Sequence, residues 1–345
     1  MAAMQWVDPL APELEYRGLV GERRAVLHRV PATWRERLPA DTWMRLCAAS
    51  GARIAFRTDS PTVAVRAEWL SQQTNRANAE IDLYQNGQFY GQLRCQGLGA
   101  AEGVVYDGPS RDRCVELYMP PYGEVRFAGV GLADGASIRP PPPLEGPRLL
   151  FYGDSITHGS TTARAGTTYP ARIARGLGVD FVNLGVGGSA RGEPAMAEIA
   201  AAVRADVIVL AYGVNTFGSS HEEPRAFERT YDTFLAILRW HQPEVPILMV
   251  TPLFHSCEFE QTTRGGAKLE EYRRVIREVV YRRQSFGDAN LILLEGHGLI
   301  GPGQGDLLAD HVHPNDAGFA AIADGLGAQI QRVLSLTAGQ GQPAN

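Results

Sequence analysis

Five residues lying far apart in the chain have types suited to a single reaction: Ser155, Gly188, Asn215, Asp310 and His313. A serine hydroxyl attacks a carbonyl usefully only under certain conditions. An imidazole must take its proton, a carboxylate must fix the imidazole tautomer, and hydrogen-bond donors must face the oxyanion that develops. Ser155 lies in "FYGDSITHGS", residues 151 to 160, and Asp310 and His313 lie in "DHVHP", three residues apart. That spacing lets Asp310 accept from one ring nitrogen while the other faces Ser155. The backbone N–H groups of Ser155 and Gly188 and the side-chain amide of Asn215 are the candidate donors. The corresponding chemistry is acyl transfer through an ester on Ser155.

Taken singly, each residue has a plainer use. Ser155 can cap a helix, Gly187-Gly188 can form a tight turn, and Asn215 can stabilise a loop. Asp310 and His313 can be a local pair before a helix capped by Asn315 or Asp316. The elements around them favour the joint reading. "RLLFYG", "VDFVNLG", "DVIVLAYG", "PILMVTPLF" and "NLILLEGHG" are continuous apolar runs rich in β-branched residues, each followed by a helical pattern or a long connection. Runs of this kind predict a parallel sheet covered on both faces, whose ligands bind beyond the carboxyl ends of the strands. "GDS", "NLGVGGSARG" and "AYGVNTFG" follow the first three strands, and "DHVHPNDAG" precedes the last helix.

The first part of the chain has a different period. Between about residues 53 and 131 short alternating strands are separated by turn residues, and Asn86-Gly87 joins two of them as a type I′ hairpin. An antiparallel sandwich or jelly roll follows from this pattern. Pro140 to Pro143 cannot continue a sheet ladder, so the expected organisation is a sandwich over 1–139, a linker over 140–147 and an α/β domain over 148–338, with a disordered tail over 339–345. The role of the sandwich is left open between a carbohydrate-binding module, a lid and a stability element, with the lid or structural role favoured. Its Trp43, Trp69, Tyr84 and Tyr90 suit a core as well as a binding face.

The net charge of -5 offers no attraction to nucleic acid or to an anionic membrane. With neither a signal-like start nor a membrane-length apolar run, the expected location is cytoplasmic. Cys47, Cys95, Cys114 and Cys257 are too scattered for a zinc knuckle or a disulfide scaffold, and they are expected to be free thiols. No cofactor and no metal are expected.

"GDSITHG", "NLGVGG", "GVN" and "DHVHP" resemble, in order, the four blocks of the SGNH or GDSL-type hydrolases between residues 153 and 314. The resemblance implies a flavodoxin-like three-layer α/β/α fold with a five-stranded parallel sheet. It makes Ser155 the nucleophile, Asp310 and His313 its triad partners, and Gly188 and Asn215, with the Ser155 N–H, the oxyanion hole. "EIDLY", Glu80 to Tyr84, resembles the G-x-D-L-Y signature of the sandwich that precedes some SGNH esterases, with Glu80 in place of the glycine. Another departure is Thr216 after Asn215, where many members carry Asp, which leaves open how Asn215 is held. The implied activity is a serine esterase acting on a short acyl ester, with acetyl the expected group, of a carbohydrate or other small alcohol. Two alternatives stand beside it. One is an acyltransferase passing the group from a thioester or ester to a bulky alcohol such as a natural product, and the other is a non-catalytic binding protein. An oligomer is compatible with all three.

The rival motifs are incomplete. An α/β-hydrolase elbow needs G-x-S-x-G, whereas Thr157 stands where the last glycine belongs. "GVGGSA" fits a dinucleotide loop, but the acidic residue expected at the end of the next strand is missing. His311, His313 and Asp310 make a conceivable metal set without a further ligand motif. His158, His221 and His255 lie near the expected catalytic face, and His158 and Phe217 are taken as candidate pocket residues.

Overall fold

The computed structural model describes residues 4–74, 79–95, 97–219 and 221–340. Its first half runs through β1 (Met4–Val7), β2 (Glu15–Arg17), α1 (Ala40–Cys47), β3 (Arg53–Thr58), β4 (Thr62–Gln72) and β5 (Ile81–Gln85). It continues through β6 (Gln88–Leu93), β7 (Gly99–Asp107), β8 (Arg113–Tyr118), β9 (Gly123–Ala133) and β10 (Ile138–Arg139). One antiparallel sheet has the order β1-β9-β4-β7 and the other β10-β3-β8-β5-β6, with β2 paired to β3. Phe56, Val65, Trp69, Leu83, Leu117 and Phe127 meet between them in one apolar core. Asn86 and Gly87 have φ of 47° and 80°, which is the pair of positive angles a type I′ turn demands.

The second half contains β11 (Arg148–Gly153), α2 (Ser155–His158), α3 (Tyr169–Leu177), β12 (Asp180–Asn183), α4 (Pro194–Ala202) and β13 (Val207–Ala211). After these come α5 (Val214–Gly218), α6 (Pro224–His241), β14 (Ile247–Val250), α7 (Leu269–Ser285), β15 (Leu291–Leu294) and α8 (Asp316–Gln340). The five strands are parallel, in the order β12-β11-β13-β14-β15. Alternation along β11 shows why both faces are apolar. Leu150 and Tyr152 enter a core with Met196, Ile199, Leu235 and Val279 of α4, α6 and α7, whereas Leu149 and Phe151 enter one with Ile173 and Phe319 of α3 and α8. The chain leaves β11 for β12 on one side and returns to β13 on the other, which opens a crevice at the carboxyl end of β11.

The expected fold class is therefore observed, a three-layer α/β/α unit preceded by an antiparallel sandwich. Residues 140–147 carry no regular element, and Pro141 to Pro143 lie along a groove formed by Arg17, Arg53, Tyr118 and Arg175. The two halves are fastened by buried polar contacts. Arg53 pairs with Asp180 at 2.6 Å, and Asp82 of "EIDLY" accepts from the Gly166 N–H at 3.0 Å. Tyr84 of the same stretch packs where any side chain on Gly166 would stand, 2.4 Å from the ring.

Candidate active site

The turn that ends β11 is built for close packing. A Cβ on Gly153 would sit 2.5 Å from the Ala211 carbonyl and 2.1 Å from Thr157 Oγ1, so only glycine lets the chain turn there. Asp154 caps α2 by accepting from the Ile156 N–H at 2.9 Å. Burial pushes the Asp154 carboxyl up to about 6, against the opposing pull of that N–H and of His313. Ser155 is thus the first residue of a one-turn helix at the switch point of the sheet.

Ser155 Oγ lies 2.8 Å from His313 Nε2. On the other side of the ring, Nδ1 is 2.9 Å from Asp310 Oδ2, and Asp310 Oδ1 also accepts from the N–H groups of Val312 and His313 at 2.8 Å each. Partial burial alone would raise the Asp310 carboxyl, but these donors and the ring hold it down at about 2. Nδ1–H facing a carboxylate leaves Nε2 as the acceptor for the serine proton. The arrangement can therefore abstract that proton and return it to a leaving group.

Three groups remain the candidate oxyanion donors. Val186 to Ser189 form a β-turn closed by the Ser189 N–H on the Val186 carbonyl at 3.1 Å, with Gly188 at φ of 80°. Asn215 Oδ1 accepts from the Ala190 N–H at 3.2 Å, which fixes the amide and leaves Nδ2 as its free donor. The N–H of Ser155, the N–H of Gly188 and Asn215 Nδ2 have no acceptor among the described residues. Thr216 is buried and its hydroxyl has no partner among the described residues, so no hydrogen bond from that hydroxyl holds Asn215.

Two candidates are corrected by the structure. His158 is fully buried, accepts the Gly187 N–H on Nδ1 at 3.1 Å and donates from Nε2 to the Pro121 carbonyl at 2.8 Å. Burial, with Arg29 and Arg45 nearby, holds its pKa far below the ordinary imidazole range, so it is a neutral connector and not a pocket residue. Phe217 is likewise buried, against His255 and Tyr272. His221 is exposed, and His255 is occupied by the Cys257 N–H. His311 turns to the Ser256 hydroxyl at 2.8 Å instead of joining His313. Among the described residues the grouping of metal-ligand types is elsewhere, at His28, Cys47 and Glu124, where Glu124 already holds His28 at 2.7 Å and Ser71 at 3.0 Å.

What sequence reasoning missed is the sandwich side of the site. Arg29 is completely buried and donates to the carbonyls of Asn183 and Gly185 at 2.8 Å each, to Ala48 at 2.9 Å and to Arg45 at 2.6 Å. Burial lowers this guanidinium to about 9, and it remains charged at neutral pH. Arg45 donates to the Gly187 carbonyl at 2.8 Å, Asp41 pairs with Arg191 at 2.8 Å, and Thr42 donates to Glu193 at 2.9 Å. No local pattern distinguishes these residues from surface charges, because their partners lie about 150 residues away.

Solved structures give the same architecture. A salicylyl acyltransferase from a tetracycline biosynthetic pathway is 26% identical over 99% of both chains, with a TM-score of 0.85. A GDSL-like lipase described as putative, from Bacteroides ovatus, is 25% identical over 96% of this chain and 98% of its own, also at 0.85. An acetyl xylan esterase from the rumen bacterium Butyrivibrio proteoclasticus shares the fold at 16% identity, covering 97% and 99% of the two chains with a TM-score of 0.68. No curated protein sequence matches. The sequence model for the N-terminus of SGNH-hydrolase-type esterases matches residues 4–138. Residues 147–331 match that of the GDSL-like lipase/acylhydrolase family, to which this chain belongs.

Proposed function

We propose that the protein is a serine esterase that removes a short acyl group, acetyl first among them, from a carbohydrate or other small alcohol. The observation that carries this reading is the continuous line from Asp310 through His313 to Ser155, with contacts of 2.9 and 2.8 Å. Ser155 Oγ bonds to the ester carbonyl carbon as His313 Nε2 takes its proton. The resulting oxyanion is met by the N–H groups of Ser155 and Gly188 and by Asn215 Nδ2. Collapse expels the alcohol, which receives the proton from His313, and water then repeats the sequence on the acyl-enzyme.

Acyl transfer is the second reading, and the likeness to an acyltransferase along 99% of both chains supports it. The two share the acyl-enzyme and differ in what attacks it. A fluorophosphonate probe is expected to label the wild-type chain and not Ser155→Ala. Release of acetate from an activated acetyl ester, measured with and without added alcohols or with a thioester donor, then separates hydrolysis from transfer. A folded wild-type chain that takes no label rejects both readings in favour of a non-catalytic binding protein.

A further inference from the structure

The β-turn over Val186 to Ser189 has a positive φ at its third residue, Gly188, and none at its second, Gly187. That combination, with the closing bond from Ser189 to Val186, is a type II turn. Types I and II differ mainly by a half-rotation of the central peptide, here the unit joining Gly187 to Gly188. This unit carries the Gly187 carbonyl at one end and the Gly188 N–H at the other. Because the peptide is planar and trans, the two groups point in opposite directions and turn together. Glycine at both central positions makes either turn type accessible to this sequence. Something outside the turn must therefore choose between them.

The choosing group stands on the sandwich. Arg45, in the last turn of α1, donates from Nε to the Gly187 carbonyl at 2.8 Å. Its own position is set by Gln73 Oε1, 3.3 Å from one terminal nitrogen, and by the Tyr122 ring, 5.5 Å from the guanidinium carbon. The turn is also closely fitted to the nucleophile, since a Cβ on Gly187 would lie 3.2 Å from Ser155 Cα and 2.1 Å from the Tyr122 hydroxyl. On the far side of the same peptide, Gly188 is exposed and its N–H has no acceptor among the described residues.

We infer that Arg45 is a positioning residue for the oxyanion hole. By gripping the Gly187 carbonyl it holds the central peptide in its type II orientation, and so keeps the Gly188 N–H turned toward Ser155. A cation on the carbonyl also polarises the peptide and makes its N–H a stronger donor. The sandwich thereby takes part in catalysis through one hydrogen bond, without touching substrate. The inference rests on the esterase reading given above, because it needs an oxyanion for the N–H to meet.

The test compares the wild-type full chain with Arg45→Ala, Arg45→Gln and Arg45→Lys, using hydrolysis of p-nitrophenyl acetate and inhibition by a small alkyl boronic acid. Arg45→Ala is expected to lower kcat by about ten- to a hundredfold, less than the roughly hundred- to thousandfold that removing a whole oxyanion donor costs, and to leave KM within about twofold. Boronic acid affinity falls in proportion to kcat, as it must when the lost contact belongs to the tetrahedral species. Arg45→Lys restores part of the rate. Thermal unfolding is followed alongside, and if Arg45→Ala does not fold, Arg45→Gln and Arg45→Lys carry the comparison. Unchanged kcat in folded variants overturns the inference while leaving the esterase reading intact, and so does a rise in KM alone. A wild-type chain that neither turns over the ester nor labels with fluorophosphonate overturns both.

Discussion

Asp82, in the sandwich, and Gly166, in the α/β half, are joined by a hydrogen bond of 3.0 Å from the glycine N–H to a carboxyl group with no access to solvent. Burial pushes this carboxyl up to about 7, and its second oxygen has no partner among the described residues. The folded chain thus keeps a proton on Asp82 up to near neutrality, whereas an unfolded aspartate releases it at about pH 4. The folded state binds more protons between those values, so stability falls as pH rises from about 4 to about 7 and gains nothing from this group above. In Asp82→Asn this part of the decline disappears. Melting temperature measured against pH should therefore show a flatter profile for the variant, and parallel profiles would show that Asp82 ionises freely when folded.

Asp310 has the opposite shift and the opposite consequence. Its folded pKa of about 2 lies below the unfolded value, so the order it gives the loop over residues 310 to 313 is present above about pH 4 and lost as pH falls toward 2. Asp310→Asn removes the charge that fixes the imidazole tautomer, and kcat should drop by roughly three to four orders of magnitude. A drop below tenfold, read on an activated acetyl ester, would mean that His313 is oriented by something else.

Asn215→Ala tests the side-chain donor. The amide is anchored by the Ala190 N–H on one end and free on the other, so its loss should lower kcat by about a hundred- to a thousandfold while KM stays near its starting value. Full activity in the variant would remove Asn215 from the oxyanion hole.

Arg29→Met tests the join between the halves. The substitution keeps much of the side chain's bulk but abandons buried carbonyls of Ala48, Asn183 and Gly185. Leaving such acceptors unmet costs about 1–3 kcal/mol each, which should lower the thermal midpoint by several degrees or prevent folding. Arg29→Lys, able to meet fewer acceptors, should fall between. An unchanged midpoint in Arg29→Met would show that water satisfies these carbonyls.

The parallel strands were legible because they are buried on both faces and so stand out as uninterrupted apolar runs. The Asn86-Gly87 hairpin was legible because two consecutive positive φ angles narrow the choice of residues. β7 escaped the same reading, since "GAAEGVVYD" begins with small residues and exposes alternate positions up to Val104. α1 was also missed, being a short helix whose apolar side is completed only by the α/β half, where Leu46 joins the core. His158 shows the limit most clearly. A histidine three residues after the expected nucleophile suggested a pocket, whereas its tautomer and burial are decided by Pro121 and Gly187, neither of them local to it.

The contacts of Arg29 and Arg45 with residues 183 to 187 also bear on how this architecture can be rearranged. A sandwich exchanged for that of a distant relative would carry its own side chains to the loop beside Ser155, and with them its own setting of the Gly187–Gly188 peptide. For engineering, the heritable unit is therefore a seam: α1 and the loop before it must travel together with the "NLGVGG" stretch, whichever halves are recombined.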